Sequence, residues 1–275
     1  MLPLTSLLEK LAIKLVPDKQ GKEVVVELDD RLLVTPAIAL RRCSDLVHDM
    51  ADKSTYALKS SIEILTEYNE EKAEEIRSIE DLTDHYEDII GTYLVKLSSH
   101  RVTDKDSATI TKLLKLIGDF ERISDHSVNI LESAEEIREK GIVFTPDAKK
   151  ELKTLCEATD EIMTVSYKAF SENDHNAAAL VEPLEQVIDE LKTQMRNGHI
   201  NRLKNHECTI EAGFVWSDLL TNMERTSDHC SNIAVSVLED ADNSFKPHEY
   251  LSHVKNEGEN HFFEQYAQYK EKYSL

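Results

Sequence analysis

The chain has 275 residues, a formal net charge of −21, and few glycines (7) or prolines (6). So acidic a surface argues against a nucleic-acid partner, because phosphate-backbone binding draws its affinity from Lys and Arg. Charged residues make up 31% and hydrophobic ones 40%, with no Asn-Gly or Asp-Gly joining two alternating apolar runs, so the pattern is that of an all-α protein of long amphipathic helices.

In chain order, "MLPLTSLLEKLAIKLVP" is the most apolar end, and Thr5 can cap a short amphipathic helix there. Glu9, Lys10 and Lys14 interrupt it, and it falls short of the ~20 apolar residues that a membrane span needs. Residues 18–35 read as a linker. Pro36 opens a helix to about Asn69, with Leu40, Val47, Met50, Leu58, Ile62 and Leu65 as its apolar stripe. "NEEKAEE" reads as a break before a second helix to about Ser99. Asp104 or Asp106 can cap a third, which runs to about Lys140 and stops at Gly141.

The pattern then starts again. Thr145 as cap, Pro146 and Asp147 make a strong helix start. Helix four runs to about Glu172, where "ENDHN" breaks it. Helix five covers about Ala177 to Arg202, with Pro183 tolerated in its first turns or accommodated by a kink. Helix six covers about Ile210 to Glu239, and the tail becomes helical from about Glu259. A period near a hundred residues means two units of one fold, each an antiparallel three-helix bundle. Trp216, the one tryptophan, is expected to anchor the second core.

The repeat is clearest in "DFERISDHSVNI" (119–130) and "NMERTSDHCSNI" (222–233). Residues i and i+4 share a helix face, so Glu121 stands beside Asp125 and Glu224 beside Asp228. Like charges at that spacing cost a few tenths of a kcal/mol. Arg122 and Arg225 can relieve part of this by reaching Asp125 and Asp228. The second helix of each unit carries matching acids: Glu80, Asp84 and Glu87 in the first, Glu182 and Asp189 in the second. Gln186 stands where Asp84 has its counterpart, with Glu185 as a substitute. If helices two and three pack antiparallel, two acidic strips converge.

Clustered carboxylates suit hard cations such as Mg, Mn, Ca or Fe(III); a catalytic zinc site wants more nitrogen or sulfur. A solvated acidic face without any ion is the competing reading. His126 and His229 are rotated about 100° from the neighbouring aspartates, which suits an inter-helix hydrogen bond better than ligation. Cys43, Cys156, Cys208 and Cys230 form no C-x-x-C pair and read as free thiols of a reducing cytoplasm. A di-iron oxidase wants two E-x-x-H elements on facing helices; Asp45-x-x-His48 only approximates one, and Glu172-x-x-His175 falls in a break.

The two ERxSDH segments, each in the third helix of a three-helix repeat, resemble the PhoU family, as do the pairs Glu80/Asp84, Glu121/Asp125 and Glu224/Asp228. The flanks resemble the cytoplasmic end of bacterial sodium/phosphate cotransporters that carry a PhoU-like domain. The resemblance implies a membrane-proximal helix and linker over 1–35, bundles over 36–141 and 145–241, and a tail over 242–275. It also implies a non-enzymatic regulator of phosphate transport at the inner face of the membrane. The metal residues would be Glu80, Asp84, Glu87, Glu121, Asp125, Glu182, Asp189, Glu224 and Asp228. They would hold multinuclear Fe, with Mn, Mg, Zn or Ca as alternatives. The partner would be the membrane domain of a cotransporter, another phosphate transporter or a sensor kinase, and a homodimer is a further expectation. A metal-free interaction scaffold remains the alternative.

Overall fold

A computed structural model describes residues 28–239 and 259–275. The expected N-terminal amphipathic helix and most of the linker lie outside the described residues. The described part contains a short 3-10 turn, Asp30–Val34, and seven α-helices: α1 Pro36–Ile64, α2 Glu70–Ser98, α3 Asp104–Glu139, α4 Pro146–Glu172, α5 His175–Lys204, α6 Ile210–Leu238 and α7 Glu259–Lys272. No strand occurs among the described residues.

Capping sets most of the boundaries, and it corrects several sequence expectations. Helix α1 stops at Ile64 rather than near Asn69, because Asn69 caps α2 by accepting from the Lys72 amide. The "NEEKAEE" segment is therefore no break. Glu70 and Glu71 lie in the first turn of α2, where the positive helix end favours them. The cap of α3 is Thr103, and Asp106 completes a capping box from inside the helix. Asp174 caps α5 and starts it at His175, two residues before the expected Ala177, so Pro183 falls within the third turn of the helix. The linker expected to reach residue 35 instead turns at Asp30–Val34, where Leu33 is buried. Thr145 and Pro146 open α4 as expected.

Helices α1–α3 pack pairwise into one bundle and α4–α6 into a second. The two are not separate cores. Helix α3 lies along α6, α1 touches α4, and one apolar cluster runs from Leu33 to Tyr273. Phe120 of α3 meets Phe170 of α4 edge-on at 5.1 Å between ring centroids. The α3–α6 pair runs antiparallel: Lys115 meets Glu239 at 3.5 Å, Asp119 meets His229, and His126 meets Asn222. Across α1 and α4, Lys59 binds Asp160 at 2.8 Å and the Tyr167 hydroxyl donates to Asp52.

Trp216 is buried in the second half, edge-on to Phe144 at 5.2 Å. Beside it the buried Arg202 grips Glu151 through two bonds of 2.7 and 2.8 Å. Helix α7 packs on α5, where Tyr266 and Lys270 meet Glu190, and just beyond it the Tyr273 hydroxyl donates to Glu161 of α4; Phe262, Tyr269 and Tyr273 are buried.

Candidate metal centre

The antiparallel packing of α2 on α3 and of α5 on α6 brings the expected acids together in two strips. In the first, Glu121 is buried, and its carboxyl is pushed up to about 7 by burial and then by Asp125, against the pull of Arg122. Glu87 of α2 adds to that push. Glu80 is raised first by burial and then by Asp81, Asp125 and Asp84, so α2 and α3 share one field of charge. Arg122 lies 3.3 Å from Glu121 and 3.2 Å from Asp125, which is the relief its spacing predicts.

The second strip is built differently. Burial pushes the Glu185 carboxyl up to about 8, helped by Glu182, Asp189, Asp228 and Glu224. Glu185 therefore fills the gap left by Gln186, one position earlier. Asp189 is raised by burial and then by Glu224, and Asp228 by burial and then by Glu224 and Asp189. Ser231 donates to Glu182 at 2.8 Å. The relieving cation is not Arg225: among the described residues no ion pair joins it to Asp228. Lys192 of α5 takes that role, 2.7 Å from Glu224.

The histidines of the repeat sit on the seam between the halves, as their rotation from the aspartates requires. Nδ1 of His126 lies 3.1 Å from Oδ1 of Asn222, and Nδ1 of His229 lies 3.0 Å from Oδ1 of Asp119. The two imidazoles face each other at 5.6 Å. Burial, then His229, drives His126 down to about 4, so it is neutral near pH 7. Asn222 occupies the repeat position of Asp119, and the exchange of partners across the seam is reciprocal. His48 is held by the Ser44 carbonyl at 2.8 Å and lies tilted against Phe170, while Asp49 accepts from Tyr86. Glu172 ends α4 and His175 begins α5, so that E-x-x-H spans two helices.

All the strip donors are carboxylate oxygens, which fits a hard cation. With the side chains as placed, no three Asp, Glu, His or Cys among the described residues are gathered as ligands of one ion. Ligation needs rotamer changes, which long acidic side chains at a partly exposed surface make readily.

The PhoU domain family profile matches residues 47–134 and 152–237. The chain belongs to the PhoU domain family. It is 28% identical over 183 residues to the phosphate-specific transport system accessory protein PhoU homolog 1 of Thermotoga maritima, covering 66% of this chain and 78% of that one. It is 22% identical over 260 residues to YjbB of Salmonella typhimurium, provisionally named an inorganic phosphate export protein, covering 91% of this chain and 47% of YjbB. The chain thus spans about half the length of that relative. In fold it is similar to PhoU of Streptococcus pneumoniae, a phosphate transport system regulatory protein, with a TM-score of 0.66 at 15% identity over 77% of this chain and 99% of that one. It is also similar to PhoU of Pseudomonas aeruginosa, at 0.61 and 20% over 78% and 99%.

Each family match contains one motif-bearing helix and the acidic helix packed against it. Sequence reasoning passed over Lys192 and the seam role of Asp119. Lys192 had a signal, since Glu182, Glu185, Asp189 and Lys192 follow one another at three- and four-residue steps along one helix face. Asp119 had none, because its partners His229 and Asn232 lie more than a hundred residues away.

Proposed function

We propose that the chain is a non-enzymatic regulatory module of phosphate transport, binding hard metal ions on its two carboxylate strips. It docks from the cytoplasmic side on the membrane portion of a phosphate transporter. Sodium-coupled transport is the version that the flanking sequence favours. The observation that carries this reading is the doubled strip. Carboxylates of facing helices meet twice, with Glu121 and Glu185 partly buried and a single basic side chain against each strip, an unfavourable concentration of negative charge that a proton or a bound cation relieves. The match across nearly half of YjbB supports a setting beside a transport polypeptide, and the accessory and regulatory names of the PhoU relatives support control rather than catalysis. No helix among the described residues is long and apolar enough to cross a membrane, so in this reading the transport path belongs to the partner.

The test is binding of the chain to the detergent-solubilised membrane portion of a phosphate transporter, measured by surface plasmon resonance with Mn2+ or with EDTA. The expected result is binding that EDTA weakens at least tenfold and that Glu121→Gln/Asp125→Asn weakens likewise. Binding indifferent to EDTA and to these substitutions removes the metal from the account, and no binding in either buffer removes the docking.

A further inference from the structure

The turn between α5 and α6 is fastened at both ends. The Glu207 amide donates to the Arg202 carbonyl and the His206 amide to the Leu203 carbonyl, with His206 left-handed at a φ of 61°. Thr209 then caps α6 by accepting from the Ala212 amide. Cys208 sits between these fastenings and is partly exposed. Its Sγ lies 3.9 Å from Nδ1 of His199. Among the described residues no other cysteine has an imidazole partner. The matching turn of the first half, residues 99–103, has no cysteine at all.

Behind Cys208 two buried polar atoms are left without partners. His199 is 8% exposed and Arg202 7%. Arg202 gives both terminal nitrogens to Glu151, and its Nε meets no acceptor; Nε2 of His199 is unpartnered too. Buried polar atoms are normally satisfied, so this pair needs an explanation. Arg202 stands close enough to Cys208 for each to act on the other's ionisation. His199 lies nearly parallel to Trp216, with ring centroids 6.2 Å apart, and a Cβ on Gly213 would fall 2.7 Å from Nε2. The imidazole therefore has no room to retreat from the thiol. Burial, then Arg202, lowers the His199 pKa, so the ring is neutral near pH 7 and free to accept a proton. Burial also raises the Cys208 thiol, but Arg202 works against it, whereas burial pushes Cys43, Cys156 and Cys230 up to about 12.

We propose that this turn is a modification site: Cys208 is oxidised by hydroperoxides, His199 takes and returns the proton, and the unpartnered Nε–H of Arg202 donates to the product oxygen. The thiol proton passes to Nδ1 of His199. The sulfur lone pair attacks one peroxide oxygen and the O–O bond breaks. The leaving oxygen recovers the proton from His199 and departs as water or an alcohol. Sulfur loses two electrons and becomes a sulfenic acid, and the hydroperoxide is reduced. The added oxygen enters the gap between Sγ and an imidazole that Gly213 and Trp216 hold in place. It presses on Trp216 and disturbs the Arg202–Glu151 pair, so oxidation loosens this end of the second bundle and leaves the first half as it was. The site is independent of the carboxylate strips and of any metal they hold.

The experiment treats the full chain, in EDTA, with hydrogen peroxide. Sulfenic acid is trapped with dimedone and mapped by peptide mass spectrometry, while the emission of Trp216, the one tryptophan, is followed in parallel. Cys208 is expected to react at least tenfold faster than Cys43, Cys156 and Cys230. It should also react at least tenfold faster in the folded chain than in the chain unfolded by urea, the reverse of what mere exposure gives. Trp216 emission should change at the rate of trapping, and Cys208→Ser should abolish that change. His199→Gln should slow trapping at least tenfold, and Arg202→Lys, which lacks the Nε–H, should shorten the lifetime of the sulfenic acid at least threefold. The comparison of folded with unfolded chain needs no variant, so a His199→Gln protein that fails to fold leaves the test intact. A Cys208 that reacts no faster folded than unfolded, a trapped Cys208 with Trp216 emission unchanged, or a folded His199→Gln protein that reacts at the native rate overturns the proposal.

Discussion

The two halves repeat one helical plan but satisfy their charges in different ways. In the first, the strip is relieved by Arg122 from its own motif helix, and the Arg77–Glu135 pair at 2.6 Å is only half-buried. In the second, relief comes from Lys192 on the facing helix, and a buried Arg202–Glu151 pair lies against Trp216. A repeat therefore conserves the placement of carboxylates more strictly than the identity of the cation that answers them.

The largest expected effect that probes this difference is on stability. Glu151→Ala strands the buried Arg202 guanidinium and should cost about 3–5 kcal/mol, measured by urea denaturation. Next comes the pH dependence of the metal-free protein. The unfolded chain ionises Glu185 near the ordinary glutamate value of 4.5, while the folded chain keeps that proton to about 8. Over that interval the folded state holds more protons, so stability falls as pH rises. Glu121 acts the same way up to about 7. His126, lowered from 6.5 to about 4, acts in the opposite sense between those values, so the clean window is pH 6.5–8. In EDTA the melting temperature should fall across that window, and Glu185→Gln should remove most of the slope. Glu121→Gln should alter only the part below about pH 7. Equal slopes in both variants would make the two strips alike.

Smaller effects follow. Thr103→Ala loses the capping box of α3 and should cost about 1 kcal/mol. Arg77→Ala removes a half-buried pair and should cost about 1 kcal/mol. If Arg77→Ala proved as damaging as Glu151→Ala, the contrast between half-buried and buried pairing would be lost.

Much of this is legible in the sequence. The i, i+4 acids and the hundred-residue period gave the strips, because helical spacing fixes which residues share a face. Thr145–Pro146 announced a helix start that needs no tertiary partner. Local rules failed where the competing signal was also local: Asn69 and the glutamates after it look like a polar break, yet they are a cap and a first turn. They failed again where the partner was distant. The choice of Glu185 over Gln186 depends on how α5 is rotated against α6, and the reciprocal pairing of His126 and His229 depends on α3 lying antiparallel to α6. Neither rotation nor crossing direction is written in the spacing of one helix.

Under the proposed function each strip is a separate cation site. It is tested most directly by metal content after equilibration with Mn2+ and gel filtration, for four proteins: the native chain, Glu121→Gln/Asp125→Asn, Glu224→Gln/Asp228→Asn, and the fourfold variant. The account predicts stoichiometric metal in the native chain, a partial and additive loss in each double variant, and none in the fourfold one. A native chain that retains no metal, or a fourfold variant that retains as much as the native chain, would contradict it.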